Sequence, residues 1–309
     1  MDEDAIYNKH LDVFLLWAAR ETGIVDALLD APKRAETVAD ETGVTERAAD
    51  IALAGLCEAG YVDRTDQTYE PTDRLRSFDP ETDALDRGIL PHRIDSLEKY
   101  VRLPETMRTG EPPEHTEEGF HNYVGAMATI DDATVREIVT TAEHVQPRPD
   151  RVLDVGGGPG RFGTEFARRG ADVTLVDRPE VLDLAAARHE AAGLDVVAGN
   201  ATASLPEGFD LAFSARMTSG FTPEEIREYF ENTYEALDPG GTFICVERVR
   251  GRSEMAERFA VHMLAVFPTG NTYTADTYRE ALADAGYVDT EIRDVPRTEY
   301  QAIVGHKPE

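Results

Sequence analysis

The sequence predicts an α/β protein in which a doubly wound parallel sheet follows a smaller helical module carrying a two-stranded wing. Three observations carry that expectation. From about residue 150 onward, short apolar strands alternate with helix-length stretches. The first of those strands, Arg151-Val-Leu-Asp-Val155, runs into a loop of four glycines between Gly156 and Gly160 and then into a helix. Near the N-terminus, helical periodicity gives way to a hairpin pattern.

Residues 8 to 31 place Leu11, Phe14, Leu15, Ala18, Ile24, Leu28 and Leu29 at helical spacing, as one or two amphipathic helices broken at Gly23. Ala35 to Gly43 reads as a short helix with a glycine stop. Thr45 caps the next helix, whose inner face is formed by Ile51, Leu53, Leu56 and Cys57. Gly60-Tyr-Val-Asp-Arg64 and Gln67-Thr-Tyr-Glu-Pro-Thr72 then read as the wing strands. Glu81 to Pro149 is helical with turns, notably at Arg108-Thr-Gly-Glu-Pro-Pro113, and helices near Tyr123 to His144 lead into the sheet. Strands are expected at about 151–155, 172–176, 194–198, 209–214 and 241–249. A helix over Ala275 to Ala285, a turn at Gly286 and strand candidates Val288 to Val295 and Tyr300 to His306 complete the chain. The expected domains are 1–90, a helical connector at 91–145, and the sheet domain at 146–309. No repeat or low-complexity tract is visible.

At 309 residues, 41 % of them apolar, the chain has enough hydrophobic material for a buried core. The net charge is −29, from 60 acids against 31 bases, and only four of those bases are lysine. Such a surface resembles that of proteins from salt-loving organisms, where high ionic strength screens the self-repulsion. It also argues against nucleic acid as a partner, because phosphate binding draws on dense Lys and Arg. The winged module makes the same point locally: between Ala35 and Asp63 there are seven acids and a single base, Arg47. Cys57 and Cys245 lie in apolar contexts without metal-ligand spacing and read as buried free thiols, so no metal is expected. No apolar run is long enough to span a bilayer, and Met1-Asp-Glu-Asp4 has the wrong charge for a signal peptide. A cytoplasmic location is expected.

The glycine loop has a chemical reading. Glycines are needed where the backbone turns with positive φ and comes into van der Waals contact with a ligand, to which the following helix presents free amides. The second strand, Ala171-Asp-Val-Thr-Leu-Val-Asp177, ends in an acid 23 residues after Asp154, where a carboxylate can accept both hydroxyls of a ribose. Together these features point to an adenosine-type cofactor. Gly158-x-Gly160-x-x-Gly163 also fits the dinucleotide fingerprint literally, so a nicotinamide or flavin site stays open on spacing alone.

Asp154 within the strand makes the motif Asp-x-Gly-x-Gly-x-Gly, which resembles the first motif of S-adenosylmethionine-dependent methyltransferases more than that of a dehydrogenase. Over nearly the whole chain, the order of elements resembles the small-molecule O-methyltransferases that include the caffeate and acetylserotonin enzymes. Leu15-x-x-Ala-Ala-x-Glu-Thr-Gly-Ile-Val-Asp-Ala-Leu28 and Tyr69-Glu-Pro-Thr72 are similar to their dimerisation domain; Glu235-Ala-Leu-Asp-Pro-Gly-Gly241 and Ala285-Gly-Tyr287 are similar to their Rossmann-like, class I sheet domain. The resemblance implies S-adenosyl-L-methionine as cofactor, a small-molecule methyl acceptor and a homodimer, with the connector contributing to the acceptor pocket. It further implies that Asp154, Gly156, Gly158 and Gly160 hold the methionine part, Asp177 the ribose and Asn200 the adenine. The family has Asp at the last of these positions; Asn200 keeps an acceptor oxygen, and a plain turn role stays open for it.

At the reacting centre the chain departs from the family. The His-Asp-Trp sequence whose histidine deprotonates the acceptor is matched by Ser219, Gly220 and Phe221, and serine is no base near neutrality without a partner. One flanking acid is matched by Glu247; a second is replaced by Thr272. His262, on a helix that borders the pocket in the family, and Glu247 are the candidate catalytic groups, with Tyr273 as a possible helper and His121 and Tyr123 as candidate acceptor contacts. Loss of the histidine leaves two other functions open: altered chemistry of hydroxylase or decarboxylase type, and a non-catalytic cofactor sensor.

Overall fold

The N-terminal helices set the first core through a stripe of small and branched side chains. The computed structural model describes residues 3–114 and 116–309, and the side chains of residues 3–8 are not among those described. Met1 and Asp2, half of the acidic start weighed above, lie outside the described residues. Helices α1 (Glu3–Glu21) and α2 (Ile24–Asp30) meet at Gly23, and the short strand β1 (Lys33–Arg34) leads into α3 (Ala35–Thr42) and α4 (Glu46–Glu58). The Thr45 hydroxyl accepts from the Ala48 N–H at 3.2 Å, the cap expected of it. Strands β2 (Val62–Thr65) and β3 (Thr68–Pro71) form the wing hairpin, to which β1 adds an unforeseen third strand, giving the order β1-β3-β2. The helices α5 (Asp73–Arg76), α6 (Leu90–Val101), α7 (Leu103–Thr109), α8 (Glu117–Ala128) and α9 (Asp132–Val145) follow.

Two apolar faces fall elsewhere than the spacing suggests. On α1 the core takes Leu16 and Ala19, while Leu11 and Phe14 are 51 % and 46 % exposed and Ala18 is exposed as well. On α4 the inner row is Ala49, Leu53 and Leu56, and Ile51 points outward, 57 % exposed. Both helices therefore carry apolar residues on two sides, and helical spacing alone does not say which side packs inward. Cys57 is half-buried and Cys245 fully buried, and both thiols are free.

The sheet of seven strands has the order β6-β5-β4-β7-β8-β10-β9. Its parallel members are β4 (Arg151–Val155), β5 (Asp172–Asp177), β6 (Asp195–Ala198), β7 (Phe209–Ala215) and β8 (Leu237–Glu247). β9 (Val288–Asp294) and β10 (Gln301–His306) close the order, β10 running antiparallel to both neighbours. Helices α10 (Arg161–Arg168), α11 (Pro179–Ala192), α12 (Pro223–Ala236), α13 (Ala256–Val266) and α14 (Ala275–Ala285) connect the strands. Alternation along β8 shows the two covered faces: Ile244 and Val246 pack with Ile138, Phe162 and Phe166, whereas Phe243 and Cys245 pack with Tyr229, Phe230 and Tyr278. This is the doubly wound α/β fold expected. From β4 the chain winds outward through β5 and β6, then returns to β7 on the other side of β4. The reversal opens a crevice at the carboxyl end of β4, where ligands bind in such sheets.

The chain divides into two compact units, Met1–Glu98 with Thr116–Ala126, and Lys99–His115 with Met127–Glu309, so that residues 91–145 are shared between them. Among the described residues, no helix is long and apolar enough to cross a membrane.

Candidate functional site

The glycine loop sits at the carboxyl end of β4, between Asp154 and the N-terminus of α10. Gly156 has φ +67° and Gly158 φ +56°, conformations that side chains rarely adopt. At Gly156 a Cβ would also collide with the Met217 sulfur. Gly157 is held by space alone: a Cβ there would lie 2.6 Å from Leu175 and 2.7 Å from the Asp154 carboxylate. These positions bring the backbone against what lies above it, as a ligand cradle requires.

Asp154 and Asp177 brace the loop from below and from the side. Asp154 is buried; its Oδ2 accepts from the Gly163 N–H at 2.9 Å, and its Oδ1 has no partner. Burial pushes this carboxyl up to about 7, opposed by the Gly163 N–H and reinforced by the nearby Asp177 charge. Asp177 accepts from the Gly158 N–H at 2.8 Å and from the Arg178 N–H at 2.7 Å. Burial raises its pKa too, and those two amides hold it down. A carboxylate has about four acceptor positions, so two remain for a diol. Asp177 therefore fits a ribose as it stands.

His189 on α11 is a loop support that sequence reasoning missed. Its Nε2 donates to the Gly158 carbonyl at 2.9 Å, while its Nδ1 is buried without a partner, and burial lowers its pKa. The imidazole is thus neutral and works as a fixed donor. Nothing local marks a histidine in the last turn of a helix as facing a loop 31 residues away. Asn200 is exposed, and its Oδ1 accepts from both the Thr202 N–H at 3.1 Å and the Thr202 hydroxyl at 3.0 Å. Its oxygen thus makes the turn that the sequence left open.

After β7, Thr218–Gly220 forms one 3-10 turn, gripped from several sides. Glu247 accepts from the Thr218 N–H at 2.7 Å, and the Thr218 hydroxyl lies 2.8 Å from the Tyr278 hydroxyl. Ser219, itself buried, accepts at its carbonyl from the Asn271 N–H at 2.9 Å; the Tyr273 hydroxyl donates to the Phe221 carbonyl. Burial raises the Glu247 carboxyl, against the Thr218 hydrogen bonds, so its place in the structure is that of an anchor for the turn. Thr272 is buried, and its hydroxyl donates to the Ala256 carbonyl at the start of α13 at 3.2 Å.

His262 lies on α13 with its Nδ1 2.7 Å from the Tyr100 hydroxyl and its ring beside Phe259. Burial lowers its pKa first, and the charges of Lys99 and Arg248 add to that, so the ring is neutral near pH 7. His121 and Tyr123 belong to the other unit, where Tyr123 packs edge-on against His92 at 5.6 Å.

Comparison with known proteins agrees with the geometry. Residues 152–241, which span the glycine loop and the strand-end acid, match the model of a methyltransferase domain. The chain is 27 % identical to 3-hydroxy-5-methyl-1-naphthoate 3-O-methyltransferase of Streptomyces sahachiroi, covering 91 % of this chain and 86 % of that protein. Among solved structures, PigF with SAH superposes with a TM-score of 0.76 at 21 % identity, covering 99 % of this chain and 100 % of that one. Human N-acetylserotonin methyltransferase in complex with SAM gives 0.69 at 19 % identity, covering 99 % and 96 %. The two structural likenesses establish the fold. The domain match across the loop and a sequence similarity that runs almost end to end mark the chain as an S-adenosylmethionine-dependent methyltransferase, similar in sequence to a small-molecule O-methyltransferase.

Proposed function

We propose that the enzyme methylates a hydroxyl on a small aromatic or quinone-like acceptor, with proximity as the main source of rate. The observation that carries this is the turn at Thr218–Gly220: Ser219, which the resemblance sets against the family's histidine, is buried, and the Glu247 carboxyl beside it is engaged with the turn's own backbone. When bound, S-adenosylmethionine supplies a methyl carbon on a sulfonium, already an excellent leaving group. Asp177 is proposed to hold its ribose, and the cradle Asp154, Gly156, Gly158 and Gly160 its methionine part; Asn200 would serve the adenine only by sharing the oxygen that now makes its turn. Holding acceptor oxygen and methyl carbon in line is worth an effective molarity of order 10⁵ M or more, against roughly 10²- to 10⁴-fold for a general base. The relative named for the 3-hydroxyl of a naphthoate supports an aromatic acceptor.

Under this reading, neutral His262 assists only acceptors that are not already ionised. His262→Ala is expected to leave turnover of phenols with pKa near 7 within a few-fold of wild type, and to slow phenols with pKa near 10 by roughly 10²-fold. Equal rates on weakly acidic phenols across pH would end the role of His262 as base. Mass analysis of the acceptor separates methyl transfer from hydroxylation or decarboxylation.

The outward stripes on α1 and α4 support a homodimer built through the N-terminal unit. Leu11, Phe14 and Ile51 give it exposed apolar surface in an otherwise acidic chain. Light scattering in several molar KCl, the salt its acid-rich surface calls for, should give twice the chain mass, and Phe14→Asp combined with Ile51→Asp should give the monomer. A monomeric wild type at micromolar concentration would refute this assembly.

A further inference from the structure

Arg216 stands out among the arginines at the carboxyl ends of the central strands. It is a non-glycine residue with φ +64°, placed directly after β7, with its N–H bonded to the Val246 carbonyl at 2.9 Å. Backbone strain of that kind persists where the surroundings enforce it, and it gathers at ligand-binding positions. The next residue, Met217, is the one whose sulfur lies against Gly156, so Arg216 is one residue from the cofactor cradle.

Its guanidinium is under-used. Nη2 meets the Met127 sulfur at 3.2 Å, a weak acceptor, and Nε is buried with no partner. No carboxylate of the described residues forms an ion pair with it. Arg248 nearby is the opposite case: it pairs with Glu299 at 2.8 Å, bonds the Tyr300 hydroxyl at 2.8 Å and lies over the rings of Phe259 and Tyr300. The Nε and Nη2 donors of an arginine form one side-on fork that matches a carboxylate. In Arg216 the Nη2 arm of that fork meets only a flexible thioether, which can swing aside at little cost, and the Nε arm meets no acceptor.

The neighbourhood is aromatic, and it gathers cationic side chains in a chain of net charge −29. The charges of Arg216 and Arg248 both act on the Tyr300 phenol, where those of Glu299 and Glu247 oppose them, and the charges of Arg248 and buried Lys99 act on His262. Glu299 is taken up by Arg248 and Glu247 by the Thr218 N–H, which leaves Arg216 without a carboxylate of its own. Phe259, Tyr100 and Tyr300 supply the rings.

We propose that Arg216 is an acceptor-recognition residue, and that the methyl acceptor is a hydroxylated aromatic ring bearing a carboxylate, received by the Nε–Nη2 fork of Arg216. This deepens the reading given above and rests on it for the aromatic hydroxyl.

The test compares acids with their uncharged esters. The full-length enzyme with S-adenosylmethionine is assayed on 3-hydroxybenzoate and 3-hydroxy-2-naphthoate, each beside its methyl ester. The same four compounds are titrated calorimetrically into the enzyme saturated with S-adenosylhomocysteine. The acids are expected to show KM and Kd values roughly 10- to 100-fold below those of the esters, as befits a charge-assisted bidentate bond. Arg216→Gln should collapse that ratio, and Arg216→Lys should restore part of it. Arg216→Gly relieves the positive φ while removing the fork, so it should fold and lose the preference in the same way, with S-adenosylhomocysteine affinity as the check on the cradle. Esters and acids used equally well, or a ratio untouched by Arg216→Gly, would overturn the inference while leaving the aromatic-hydroxyl reading intact. Failure of the enzyme to bind or methylate any of the four would overturn both.

Discussion

Alanine in place of Asp177 is expected to lower the affinity for S-adenosylmethionine by roughly 100-fold or more. Under the proposed reading the Asp177 carboxylate, at the end of β5, receives the ribose diol, and the two acceptor positions left beyond the Gly158 and Arg178 amides correspond to two charge-assisted hydrogen bonds. Each is worth about 1.5–3 kcal/mol, so even the lower figures sum to about a hundred-fold in Kd. The substitution also releases the Gly158 N–H, loosening the cradle at the point where His189 grips its carbonyl. Asp177→Asn keeps one acceptor oxygen and should fall between wild type and alanine. Calorimetric titration with S-adenosylmethionine and S-adenosylhomocysteine in several molar KCl measures all three. A change of less than three-fold for alanine would remove Asp177 from the cofactor site.

What the sequence discloses about this site follows from the range of the forces involved. The glycine loop and Asp177 are legible because their constraint is local: backbone sign, van der Waals clearance and a strand end are all encoded within 27 residues, 151 to 177. The parallel strands are legible because burial on both faces makes them continuously apolar. The inner face of α1 is not, since Leu11–Phe14–Ala18 and Leu16–Ala19 satisfy helical periodicity equally, and only the partner helix decides between them. His189 and Arg216 are silent for a related reason. Their roles depend on a carbonyl 31 residues away and on a methionine 89 residues away, and no spacing rule reports such pairs. Arg216 had one available signal: it lies three residues before Ser219, where the chain departs from the family's pattern.

Asp154 should make the stability of the free enzyme fall as pH rises from about 4 to 7. An aspartate in the unfolded chain titrates near 3.9, whereas burial holds this one at about 7 in the folded chain. Between those values the folded state keeps a proton that the unfolded state has released, so each step up in pH favours unfolding, until the loss is complete above about 7. The full span corresponds to a few kcal/mol. Asparagine keeps an oxygen for the Gly163 N–H but places its amide nitrogen where Oδ1 has no partner, a pH-independent cost of about 1–3 kcal/mol. The slope is therefore the readout and the level is not: denaturation at pH 5, 6, 7 and 8 should show a declining wild type and a flatter Asp154→Asn. Parallel slopes would mean that Asp154 is ionised throughout. If the cradle holds the methionine part as proposed, the same carboxyl would tie stability to ligand binding, because a cationic sulfonium nearby would favour its ionised form. Binding of S-adenosylmethionine near pH 7 should release a fraction of a proton, detectable as a dependence of the calorimetric enthalpy on buffer, and Asp154→Asn should abolish that dependence.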